Sequence, residues 1–234
     1  MKITELPKYE EIWIAGSDPS LDTYPNDFID DKLMITLHLA YVKFPGADYH
    51  YFNEMDRWTY LKENYPEIKK KTMIFGYPFY NRTVEQADEV IGDVKCYKLD
   101  LRPYPPQGNV QDIYTDVGKM AMADLVDEAV LGKRTEFGGS GTCLHPCMYT
   151  ALTMGAKTIN IIGCGFEAQD DKEHFGKLHE VDAKMRPQTG SFTGARGERM
   201  TLGLNAILEG CKRNKITVNR FKDYEQASHL YPCI

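Results

Sequence analysis

The sequence predicts an α/β fold built on a doubly wound, mostly parallel sheet. Three observations carry that expectation. Short β-branched, apolar runs recur along the chain, and Thr158–Ile162 followed by Gly163 is the clearest. Stretches with apolar residues at helical spacing lie between them. Such alternation is the signature of crossover units, which cover both faces of a parallel sheet with helices. With 234 residues, the chain fits a single domain over 1–234.

Each element has its own warrant. Glu11–Ala15, Leu33–Leu37 and Tyr49–Asn53 read as the first three strands, and Lys71–Phe75 and Val94–Leu99 as two more. Ile216–Asn219 is the expected last strand. Glu54–Asn64 reads as a helix with Met55, Trp58 and Leu61 on one face. Thr83–Ile91 is a short amphipathic stretch. Asp112–Leu131 carries Val117, Met120, Ala121, Leu125, Val126 and Ala129 at helical spacing. Thr142–Met154 stops before Gly155, a natural C-terminal signal, and Glu198–Arg213 is amphipathic again. Leu101–Gln111, with three prolines and a glycine, reads as a surface loop. A long charged segment near residues 167–192 lacks periodicity and reads as a lid-like loop.

Composition excludes several classes. No run approaches the roughly 20 apolar residues of a membrane helix. The first residues lack the apolar core of a secretory signal. Six scattered cysteines read as reduced thiols in a cytoplasmic protein. A net charge of −6 disfavours a general nucleic-acid binder. Residues 183–222, however, hold nine Lys and Arg against two acids. That window is either a solvated face or an anion site, with Arg196 and Arg199 the best anion ligands because they sit in a Gly-rich loop.

Three turns can carry chemistry. Gly16-Ser17-Asp18-Pro19-Ser20-Leu21 follows the first strand. Gly16 allows a tight bend, Ser17 and Ser20 offer hydroxyls, Asp18 suits a cap and Pro19 a first helical turn. Phe137-Gly138-Gly139-Ser140-Gly141-Thr142 leads into a helix, and its free N–H groups suit a phosphate or carboxylate. It lacks the lysine and spacing of a P-loop. Gly163-Cys164-Gly165-Phe166-Glu167 closes the clearest strand, where Glu167 can reach a ligand hydroxyl. All three fall at expected strand ends or helix starts, the edge where open α/β sheets bind nucleotides. His174 and His179, beside Glu173, Glu180 and Asp182, are either a general base or solvated lid residues. Cys143, His145 and Cys147 lack zinc spacing, so no metal is expected; Cys143 and Cys147 read as core thiols.

The first turn resembles the G-x-G-P-S-L opening of the Campylobacter-type bacterial sialyltransferases. It also resembles the related Rossmann-like proteins that include archaeal 6-hydroxymethyl-dihydropterin pyrophosphokinases. Ser140-Gly141, Ala151-Leu152, Gly155-Ala156, Ile159 and Ile162-Gly163 are similar to the ordered small-residue and apolar pattern of the same group. Tyr51-Phe52-Asn53 matches a strand end where the sialyltransferases carry a nucleotide-contacting Asn. The matches span residues 11 to about 165. Asp18 replaces the second glycine of the turn, and His38 stands where a second nucleotide-contacting Asn is found. Gly165 replaces an acid, and Ala195 and Arg196 occur where the family places its histidine base.

The resemblance implies a metal-independent glycosyltransferase of Rossmann-like fold that moves a sugar from a nucleotide sugar, a CMP-sugar by likeness, to an acceptor hydroxyl. The nucleotide would lie against Gly16, Ser17, Asp18, Ser20, His38, Asn53, Gly139, Ser140, Gly141 and Thr142. Arg196 and Arg199 would stabilise the departing phosphate. His174, His179 or Glu167 would deprotonate the acceptor, a glycan or other hydroxyl, with His38 a further candidate. No permanently bound cofactor is expected. Two alternatives stand beside this reading. One is ATP-dependent pyrophosphoryl transfer to a pterin-like alcohol, which needs Mg²⁺ and carboxylates such as Asp18, Asp56 and Glu167. The other is a non-catalytic nucleotide- or glycan-binding module. A nucleic-acid acceptor is disfavoured but left open, as is a homo-oligomer.

Overall fold

A computed structural model describes residues 1–77, 91–92, 94–101, 113–133, 136–137, 142–165, 180 and 195–230. Eight strands form one sheet: β1 (Glu11–Ala15), β2 (Met34–Leu37), β3 (Tyr49–Phe52), β4 (Thr72–Tyr77), β5 (Cys96–Leu101), β6 (Glu136–Phe137), β7 (Thr158–Ile162) and β8 (Thr217–Arg220). Their order is β6-β5-β4-β3-β2-β1-β7-β8, and every adjacent pair is parallel. The chain walks outward from β1 to β6, returns across the sheet, and lays β7 and β8 on the other side of β1. The reversal makes a topological switch point between β1 and β7, the position where such sheets open a ligand crevice.

Both faces of the sheet are covered, so its central strands are mainly apolar on both sides, with Thr36, His50 and Asn160 as buried polar exceptions. On one face lie α2 (Asp116–Val130), α3 (Leu144–Thr153) and α4 (Ala195–Arg213). They pack on Ile12, Ile14, Ile35, Ile74, Ile159 and Ile161. On the other lie α1 (Met55–Asn64), α5 (Tyr224–Leu230) and 3₁₀ turns at Pro19–Thr23, His38–Val42 and Pro66–Lys70. That face is aromatic. Trp13 stacks on Phe221 at 5.7 Å and meets Phe28 edge-on at 5.2 Å. Tyr24 and Phe28 both contact Tyr224, which anchors α5.

Register across the centre is marked by a polar ladder. Asn160 Nδ2 donates to Glu11 Oε1 at 2.7 Å, and Asn219 Nδ2 donates to Asn160 Oδ1 at 2.8 Å. Asn160 is fully buried, so a slipped register would strand its amide without partners.

The expected strands occur, Glu11–Ala15 and Thr158–Ile162 with the expected bounds and the others with ends shifted by one or two residues. β6 and α5 were not expected. One expectation is corrected: Val117 and Met120 are 76% and 64% exposed, and α2 instead buries Met122, Ala123, Leu125, Val126 and Ala129. Leu101 ends β5, and the rest of the expected surface loop lies outside the described residues. So do the lid-like segment, apart from Glu180, and the stretch Thr83–Ile91, apart from Ile91. Among the described residues no helix is long and apolar enough to cross a membrane.

Candidate functional site

The carboxyl ends of β1 and β7 are stitched together. Gly16 N–H donates to Ile162 O at 2.9 Å, and Asp18 N–H donates to Gly163 O at 3.0 Å. Gly163 has φ +60°, and a Cβ there would fall 2.7 Å from Gly16 O and from Leu21 Cγ. A Cβ on Gly16 would strike Gly163 O and Cys164 Sγ. Both glycines are therefore required by the close approach of two backbones, with Gly163 also needing its left-handed φ.

Asp18 is the clasp of this region. It caps the 3₁₀ turn Pro19–Thr23 by accepting Ser20 N–H on Oδ1 at 2.8 Å. Its Oδ2 accepts Gly165 N–H at 3.0 Å, across from β7. From the far side, Arg220 at the end of β8 donates through Nη2 to Cys164 O at 2.7 Å and to Gly165 O at 2.8 Å. The Cys164–Gly165 turn is thus held from both flanks. Burial, reinforced by the Asp18 charge, pushes the Cys164 thiol up to about 12, so it stays protonated.

A second convergence lies at the tips of β2 and β3 and the start of α3. His38 opens the turn after β2 with φ 47°, a conformation rarely adopted by a non-glycine residue. It is 3% exposed, with Tyr51 and Phe52 edge-on to its ring. His38 Nε2 lies 2.7 Å from Cys143 Sγ, and Nδ1 lies 3.9 Å from Glu54 Oε2. Glu54 Oε2 is also paired with Arg57 Nη1 at 2.9 Å. Cys143 donates its thiol hydrogen to Asn53 Oδ1 at 3.1 Å. Cys143 is the N-cap of α3, and Thr142 Oγ1 accepts Leu144 N–H at 3.2 Å. Three elements therefore bring an imidazole, an amide, a thiol and a carboxylate to one edge of the sheet, beside a helix N-terminus.

The expected site residues are distributed as follows. Gly16, Ser17, Asp18 and Ser20 lie at the β1 tip; His38 and Asn53 lie at the β2 and β3 tips, both touching Cys143. Thr142 lies at the entry to α3. Arg196 and Arg199 fall in the first turns of α4 rather than in a loop, and Arg199 is half-buried. Glu167, His174, His179, Gly139, Ser140 and Gly141 lie outside the described residues. Asp18 is committed to two backbone amides.

Sequence reasoning missed Cys143, Glu54, Arg57 and Arg220. Cys147 is a buried core thiol as expected, but Cys143 is half-buried and faces His38. Its signal was a thiol directly after a Gly-rich run at a helix start. Glu54 could have been found as the acid that follows the strand-end Asn. His145 turns away, its Nε2 3.1 Å from Met200 O, and burial drives its pKa down to about 3. Among the described residues no cluster of three His, Cys, Asp or Glu is arranged to hold a metal.

Fold and edge geometry together define an α/β protein of Rossmann-like fold with polar groups gathered at its strand carboxyl ends. The fold is shared with the sialyltransferase CstII of Campylobacter jejuni, solved in complex with a substrate analogue, cytidine-5'-monophosphate, at 13% identity and a TM-score of 0.50. The likeness covers 96% of this chain and 84% of that one. No protein-family model and no curated protein matches the chain.

Proposed function

We propose that the protein is a cytoplasmic, single-domain glycosyltransferase that moves a sugar from a nucleotide sugar to an acceptor hydroxyl. The observation that carries this reading is the gathering of His38, Asn53 and the N-terminus of α3 at the carboxyl edge of the sheet. The shared fold adds support, since that sialyltransferase was solved with CMP. In this reading Asn53 and His38 face the nucleoside, while the α3 entry at Thr142, with Gly139, Ser140 and Gly141, faces the phosphate. Gly16, Ser17 and Ser20 form the opposite wall, with Asp18 holding its shape. Arg196 and Arg199 neutralise the charge that grows on the departing nucleotide phosphate, so the reaction runs without a metal. The acceptor proton goes to His174, His179 or Glu167.

A thermal-shift series with cytidine, uridine, guanosine and adenosine nucleotides, each with and without Mg²⁺, tests the proposal. A ligand present at 100 times its Kd adds about 2.7 kcal/mol of stability. For a chain of this size that is a rise in Tm of roughly 5–10 °C. CMP or a CMP-sugar is expected to give that rise without Mg²⁺. Silence from every nucleotide overturns the reading. A rise confined to ATP with Mg²⁺, followed by AMP release, replaces it with pyrophosphoryl transfer. Tight binding without transfer to any acceptor leaves a binding module.

A further inference from the structure

The described cysteines differ sharply in setting. Cys96, Cys147, Cys164 and Cys211 are buried, and burial raises the thiols of Cys147, Cys164 and Cys211. Cys143 alone among them is only half-buried. It also has a built environment. His38 Nε2 is 2.7 Å from its Sγ, Glu54 stands 3.9 Å behind the opposite ring nitrogen, and Arg57 fixes that carboxylate at 2.9 Å. Asn53 contacts the sulfur at 3.1 Å, and the N-terminal end of the ten-residue α3 begins at Cys143 itself. His38 meets the sulfur directly, Glu54 and Arg57 lie behind His38, and Cys147 is one turn along α3.

These contacts have a shared consequence. An imidazolium in contact with sulfur and a helix N-terminus both favour the thiolate, the nucleophilic form of cysteine. Glu54, 3.9 Å from Nδ1 and itself paired with Arg57, places a negative charge near the ring, which favours the protonated imidazole. The unusual φ of His38 aims the ring, a local strain of the kind that accumulates at functional positions.

We propose that Cys143 is an activated nucleophilic thiol, with His38 as its base and Glu54 as a positioning residue, and that it is a covalent modification site for carbon electrophiles. In the step, the Sγ hydrogen turns from Asn53 Oδ1 to the unprotonated Nε2 of His38, which takes it up and leaves a thiolate beside an imidazolium. The sulfur lone pair forms an S–C bond, and the leaving group departs with the electrons of the bond it breaks. With iodoacetamide, the probe of choice, that group is iodide. The thiol lies among the same groups as the proposed nucleotide site, His38, Asn53 and the α3 entry, but its test needs no nucleotide, so failure of the one and failure of the other are distinguishable.

The experiment is alkylation of the native full chain by iodoacetamide from pH 5.5 to 9.5, with the rate at each cysteine read by peptide mass spectrometry. Cys143 is expected to react at least about tenfold faster at pH 7 than Cys147, Cys164 or Cys211, with a midpoint below the ordinary thiol value of about 8.5. His38→Asn suits the φ of 47°, since Asn tolerates that region. It should return the midpoint to about 8.5 and cut the rate at pH 6 about fivefold, the gain in thiolate being partly offset by its weaker intrinsic nucleophilicity. Glu54→Gln should move the midpoint part of the way, a readout that a purely structural role would not alter. A wild-type midpoint at or above about 8.5 overturns the proposal. So does a midpoint unchanged in a His38→Asn protein that keeps its circular dichroism. Should that variant unfold, the wild-type profile and Glu54→Gln decide alone.

Discussion

Asp18 accepts one backbone N–H from its own turn and one from the turn after β7, so a single carboxylate joins two loops. Replacing it with Ala leaves the amides of Ser20 and Gly165 without acceptors. Loss of such a cap costs about 1–2 kcal/mol, and a second orphaned amide adds a similar amount. Asp18→Ala should therefore lower Tm by roughly 5–15 °C in a chain of this size, and Asp18→Asn by less, as read by thermal melts. Two histidines set the acid side of the stability curve. Burial holds His50 and His145 at about 3, against the ordinary imidazole value of 6.5. Between pH 6.5 and 3 the unfolded chain binds protons that the folded chain refuses, so stability falls as pH falls through that window. The two groups together amount to about 4 kcal/mol of loss between pH 7.5 and pH 5. Urea titrations at the two pH values measure it. His145→Gln keeps a donor for Met200 O and should about halve the dependence.

The helix α2 is the element where pattern and packing diverge. Val117 and Met120 continue a helical apolar spacing, yet the stripe that meets the sheet and α4 runs through Met122, Leu125, Val126 and Ala129. Periodicity finds a helix; it does not say which of two apolar stripes faces inward. Val117→Glu and Met120→Lys should each change stability by no more than about 0.5 kcal/mol. Leu125→Ala, at a site 2% exposed, should cost about 2–5 kcal/mol in the same denaturation assay. The strands were easier to read, because a sheet covered on both faces makes its central strands mainly apolar. β6 has two residues, too short for any period to register. At the site, Asn53 and His38 were legible only through the resemblance, which implies nucleotide-contacting Asn residues at those two positions. Cys143 was not, because a thiol four residues from a buried thiol on one helix looks like core until the turn after β2 is brought against it.

Across the whole molecule, the fold is the best-supported inference and the chemistry the least. A doubly wound, mostly parallel sheet follows from the alternation of strands and helices, whereas the eighth strand, the strand order and the switch point beside β1 come from the structure. Which groups meet at its edge depends on side chains from β2, β3 and α3, whose separation in sequence reaches 105 residues between His38 and Cys143. No local pattern encodes such a meeting. The stitched tips of β1 and β7 also bear on how the protein is made. β1 occupies the middle of the sheet, but one of its two neighbours is not synthesised until residue 162. At ribosomal speeds of about 5–20 residues per second, roughly 7–30 s pass before that edge can be closed. During that time Ile12, Ile14 and their backbone amides offer an open edge to any other nascent strand. Newly made chains should therefore depend on chaperones most strongly just before β7 emerges, and a stall placed shortly after residue 165 clears the ribosome should relieve that dependence.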